Sequence, residues 1–109
     1  MKICEFEDQA GKHQLVFEKT KYVQDNSLAI VAYIAETKEC YCCCTVNLGW
    51  VVSDSMAYLD TNNLPDICNW LVGMGYAEVV AFNNSGYCTY PLVLFSDEFL
   101  NDICIQKEE

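Results

Sequence analysis

The chain has 109 residues, 52% of them apolar, and a formal net charge of −10 at pH 7. Sixteen acids face six lysines, with no arginine, and no basic residue lies between Lys38 and Lys107. Affinity for DNA or RNA comes from neutralising phosphates with Lys and Arg, so this composition argues against a nucleic-acid reader and against a binder of anionic membranes. The length suits one domain, 1–109, with one core. No apolar run approaches the ~18 residues of a membrane span.

Taken in chain order, Ile3–Glu7 and His13–Tyr22 are expected as strands around the turn Asp8-Gln9-Ala10-Gly11. Val23-Gln24-Asp25-Asn26 is a second turn, Leu28–Glu36 a third strand, and Cys40–Leu48 a fourth after Thr37-Lys38-Glu39. Ser55–Asp60 is a short further strand. Asn62-Asn63-Leu64-Pro65-Asp66 reads as a helix start, with polar caps followed by Pro and Asp. Ile67, Trp70, Leu71 and Met74 then form an apolar face at helical spacing, and Gly73 and Gly75 supply the stop. Tyr76–Phe82 and Tyr87–Phe95 are expected as strands around Asn83-Asn84-Ser85-Gly86. Ser96-Asp97-Glu98 caps a last helical turn or two carrying Phe99, Leu100 and Ile103. The expected class is α+β, an antiparallel β-meander packed with one central helix and a short C-terminal helix.

Eight cysteines stand at 4, 40, 42, 43, 44, 68, 88 and 104. Met1-Lys2-Ile3-Cys4-Glu5 turns acidic within five residues and does not read as a secretory leader, so a cytoplasmic protein with reduced thiols is expected. Three accounts of the cysteines stand side by side. They are small core residues, zinc ligands, or a redox centre; the last is disfavoured because no C-x-x-C occurs.

The zinc account rests on strand pairing. A turn at 23–26 sets His13 opposite Glu36, and a turn at 37–39 sets Glu36 opposite Cys40. His13, Cys40 and Cys42 then share one face with Leu15, Phe17, Ile34, Cys44 and Val46, which makes it the core face. Cys104, from the final helix, is the expected fourth ligand, with Cys43 or Cys4 as the alternative. A one-residue slip in either turn flips the set to the other face.

Catalytic patterns are missing. His13 is the only histidine, and there is neither a phosphate-binding glycine loop nor a carboxylate spacing suited to acid–base work, so an enzyme is not expected. Trp50, after Leu48-Gly49, is either an exposed anchor or part of the core.

Four segments resemble a known family in order: Asn26-Ser27-Leu28-Ala29-Ile30, Cys44-Thr45-Val46-Asn47-Leu48, Tyr58-Leu59-Asp60-Thr61-Asn62-Asn63, and Ser85-Gly86-Tyr87-Cys88-Thr89-Tyr90-Pro91-Leu92. The family is one of uncharacterised small domains encoded on conjugative elements and phages of Gram-positive bacteria. The resemblance covers about residues 12–95, and its motifs are mostly turn and cap residues, which speak to fold more than to activity. Cys40, Cys42, Cys43, Cys44 and Cys104 depart from the family, as does the tail after Phe95. A small acidic protein from mobile DNA also resembles inhibitors of host defence, such as anti-CRISPR proteins acting on Cas9. That resemblance implies a large basic partner whose DNA loading is blocked by an acidic surface, here assigned to Asp97, Glu98 and Asp102 together with Trp50. The alternative is a metal-stapled structural or regulatory module of a conjugative element.

Overall fold

The computed structural model describes residues 2–23, 25–49 and 53–106. Four strands open the chain as an antiparallel meander: β1 (Cys4–Asp8), β2 (Gly11–Lys21), β3 (Leu28–Ile34) and β4 (Cys40–Cys43). There follow β5 (Thr45–Val46), β6 (Met56–Leu59), helix α1 (Ile67–Gly73), β7 (Ala77–Ser85) and β8 (Cys88–Phe95). A π-helical turn (Phe99–Ile103) and β9 (Ile105–Gln106) end the described chain. The fold is α+β, with a central helix and a short C-terminal helical turn, as the sequence leads one to expect.

The strands form two sheets where the sequence suggested one. β9 joins the meander by running parallel to β2, while β5, β6, β8 and β7 make a second sheet in that spatial order. The stretch expected as a single strand, Cys40–Leu48, is cut at Cys44. The Cys44 N–H donates to the Ile30 carbonyl at 2.8 Å in the first sheet, and its own carbonyl accepts from the Asp60 N–H at 2.9 Å after β6. Cys44 is therefore the corner where the chain changes sheets. Its side chain is only 1% exposed, and a small apolar thiol suits so crowded a place.

Helix α1 buries Ile67 and Leu71, one turn apart, and ends on Gly75 at φ 77°. The Tyr76 N–H closes the end by donating to the Leu71 carbonyl at 2.9 Å, a six-to-one bond that only a left-handed residue permits there. Met74, expected on the buried face, is instead half exposed because the helix has already stopped.

The core between the sheets is built on rings. Trp70 stacks on Phe17 at 5.6 Å and meets Phe6 edge-on at 5.7 Å. Phe99 lies against Phe17, Tyr76 and Phe95 at centroid distances of 5.6, 5.3 and 5.3 Å. The Trp70 indole N–H donates to the Glu5 carbonyl at 2.9 Å, so its polar end is satisfied too. These contacts join β1, β2, α1, β8 and the π turn in one cluster. The C-terminal turn is a lid on the core: Phe99, Leu100 and Ile103 are all buried.

Candidate interaction surface

The sequence-derived metal set comes apart on one bulge. Leu15 pairs with Ile34, and the Ala35 N–H donates to the Gln14 carbonyl, so β2 and β3 have the register expected for them. The next turn is different. The Ile34 N–H donates to the Glu39 carbonyl at 2.8 Å, and Cys40 stands opposite Tyr33, not Glu36. The pairing then shifts, with Cys42 opposite Ala32, and Tyr41 is the extra residue.

Both residues of such a bulge lie on one side, so Tyr41 and Cys42 face the core while Cys40 turns outward and is exposed. Cys42 and Cys44 hold the core-face positions expected of them. Val46 does not: it lies opposite Tyr58 and is only partly buried, while Thr45 takes the buried place. Cys104 is buried beside β9, which pairs with β2 at Glu18 and Lys19. That parallel register sets Cys104 level with Phe17, and His13 lies four residues back along β2, about 14 Å away at ~3.4 Å per residue. The set His13, Cys40, Cys42 and Cys104 thus does not converge. Among the described residues no group of three His, Cys, Asp or Glu side chains is placed to hold a metal ion.

All eight cysteines are free thiols. Desolvation pushes Cys104 up to about 12 and raises Cys4, Cys42, Cys44 and Cys68 above the ordinary 9.0. Buried neutral thiols pack well but are poor nucleophiles and poor ligands. Core packing is the role this geometry supports for Cys4, Cys44 and Cys104.

His13 has a different use from the expected one. At the β1–β2 turn the Asp8 carboxylate accepts from the Ala10 N–H at 2.9 Å, lies 3.0 Å from His13 Nε2, and accepts from the Tyr41 hydroxyl. The His13 and Tyr41 rings meet at a tilt of 42° with centroids 4.7 Å apart, and Nε2 lies 3.2 Å from the phenol oxygen. The Tyr41 hydrogen bond, with smaller help from His13 and Ala10, holds the Asp8 carboxyl below its ordinary 3.8 against the opposing effect of burial. Desolvation first, and the neighbouring carboxylate second, push the Tyr41 hydroxyl up to about 12. The phenol is thus a lasting donor, and the cluster ties the first hairpin to β4. It borders a cleft of about 190 Å³ lined by Asp8, Gln9, Ala10, Tyr41 and the 63–66 segment ahead of α1. Sequence reading missed this cluster, although Asp8 two residues before Ala10 is a turn signature.

The expected partner residues are all exposed, Asp97 and Glu98 leading into the C-terminal turn and Asp102 within it. Trp50 lies outside the described residues. A second exposed feature is the β7–β8 hairpin. Its two-residue turn is Gly86-Tyr87, with Gly86 at φ 63° as the first loop residue, the pattern of a II′ hairpin turn. Tyr87 projects fully into solvent at the tip, and Val80 and Phe82 on β7 are 42% and 65% exposed.

Residues 16–109 match the domain of unknown function DUF4313. The chain belongs to that family. No curated protein and no solved structure matches it. The family's span takes in the second sheet, α1, the C-terminal turn and the first sheet from within β2 onward, so β1, with Asp8, and His13 fall before the matched region. Among the described residues no helix is long and apolar enough to cross a membrane.

Proposed function

We propose that this DUF4313 domain is a protein-binding inhibitor from a mobile genetic element, which docks an acidic surface on a basic groove of a large partner. A Cas9 effector, whose target-DNA channel is basic, is the partner to test first. The observation that carries the reading is the charge: sixteen acids against six lysines, with Asp97, Glu98 and Asp102 exposed together on one turn. Complementary charge speeds encounter and selects partners more than it adds contact area. Such a protein mimics the sign of nucleic acid without its bases. The π turn that carries these acids is anchored to the core through Phe99, Leu100 and Ile103.

The test is association kinetics of the immobilised domain with guide-loaded Cas9, in competition with target DNA. Binding should weaken with salt, since screening shortens to about 8 Å at physiological ionic strength. Reversal of Asp97, Glu98 and Asp102 to Lys together should slow association, whereas Glu5→Lys, on the exposed edge of β1, should not. Undisturbed DNA loading in the presence of excess domain removes Cas9 as the partner. Association unchanged by the triple reversal at low salt removes this turn as the docking surface.

A further inference from the structure

The two sheets differ in how their edges are protected. β1 carries Glu5, Glu7 and Asp8 along five residues. β4 is four residues long and bulged, and β5 has only two. Among the described residues β7 lies at the end of its sheet; it is nine residues long and contains no Lys, Arg or Pro, and Glu78 is its one charge. Long edges in natural proteins are usually blunted by charge, proline or shortness, because a row of unpaired N–H and C=O groups invites another strand. Here the single charge of Glu78 and a bulge between Val79 and Ala81 are the devices on the strand.

That bulge also sorts the side chains. Glu78 lies opposite Leu94 and Phe82 opposite Pro91. Leu94 and Pro91 are three apart on β8, so they face opposite ways, and opposed residues share a face. Glu78 and Phe82 therefore mark opposite faces of the edge, one acidic and one aromatic.

We infer that the β7 edge is a strand-addition site for an extended segment of a partner protein in which basic and apolar residues alternate. Backbone hydrogen bonds to the free edge supply the attachment, as in other cases of strand augmentation. The basic side chains lie over Glu78, and the apolar ones lie over Phe82 on the other face. Net charge decides between candidate strands: a chain at −10 repels a second copy of itself and attracts a basic segment. This inference deepens the reading of the domain as a binder of basic proteins by naming where a partner's backbone attaches.

The probe is a synthetic decapeptide alternating Lys and Val, followed by fluorescence anisotropy on the intact chain. It should bind, and its Glu-Val counterpart should not. N-methylation of every peptide amide keeps charge and side chains but removes the donors, so binding should fall by about tenfold or more. Val80→Lys, a charge set on the edge, should weaken binding of the unmethylated peptide by about tenfold as well. Equal binding of methylated and unmethylated peptides would overturn strand addition, and this arm uses only the wild-type protein. Loss of the peptide in the Asp97, Glu98 and Asp102 reversal but not in Val80→Lys would also overturn it while leaving the acidic-surface reading intact. A dimer in light scattering that Val80→Lys dissociates would assign the edge to a second copy and sink the basic segment.

Discussion

Single side chains here do work that their residue type only half announces. Tyr41 is the extra residue of a bulge, yet its hydroxyl is the strongest influence holding Asp8 ionised. Its replacement by Phe keeps the ring on His13 and removes the donor. Tyr41→Phe should cost about 1.5 kcal/mol near neutral pH, the range of a hydrogen bond to a charged group. The sign with pH follows from the direction of the Asp8 shift. A carboxyl held below 3.8 in the folded chain contributes stability that is present above 3.8 and disappears as pH falls through the lower folded value. The gap between wild type and Tyr41→Phe should therefore close in strong acid. Urea unfolding at about pH 6 and about pH 2 measures it, and an equal gap at both would mean that the hydroxyl acts through packing alone.

At the scale of elements, what could be read from the sequence depended on whether a turn announces itself. The β2–β3 register was legible because its turn carries Asp25-Asn26, with Asn26 at φ 59° and its N–H donating to the Tyr22 carbonyl. The β3–β4 register was not, because a bulge at Tyr41 leaves no mark in composition and reverses the face of every residue before it. Cys40, one residue away from a core position, became a surface thiol. Timed alkylation at mildly alkaline pH, read by peptide mass, should accordingly label Cys40 well before Cys4, Cys44 and Cys104, because Cys40 is open to the reagent while the other three are buried and desolvation disfavours their thiolates. Comparable rates for Cys40 and Cys44 would contradict the bulge. The split into two sheets at Cys44 was equally hidden, since two short strands in different sheets read as one apolar run. The C-terminal turn, by contrast, showed its function through Phe99, Leu100 and Ile103. Phe99 is fully buried against three other rings. Phe99→Ala should cost about 3–5 kcal/mol, a large share of the ~5–15 kcal/mol that holds a domain together. A shift of the urea midpoint at unchanged slope would show it; a loss under about 1 kcal/mol would mean that the turn is not a structural lid.

Over the whole molecule, partly buried phenols and buried thiols set how the fold meets alkali. Desolvation, with the charge of nearby groups adding to it, pushes Tyr22 and Tyr41 up to about 12 from an ordinary 10.0. Burial pushes Cys104 to about 12 from 9.0, with Lys19 opposing it. In each case the unfolded chain ionises first. Between the unfolded and folded values it therefore binds fewer protons than the folded chain, and stability falls as pH rises. Their stabilising contribution is complete below the unfolded value and is used up by about 12. The thiols open this decline near 9.0 and the phenols join it near 10.0. Each group steepens the slope by up to about 1.4 kcal/mol per pH unit, less for Tyr41, which is partly open to solvent. The growing negative charge of an already acidic chain acts in the same direction through self-repulsion, but added salt screens it, whereas buried groups respond little. Urea midpoints measured across this range at low and high salt separate the two. The decline should persist in high salt and should become shallower between 9 and 10 in Cys104→Ala, which removes a thiol that burial pushes up to about 12. A decline that vanishes with salt would assign the alkaline limb to surface repulsion and not to the core, and one that Cys104→Ala leaves untouched would remove Cys104 from it.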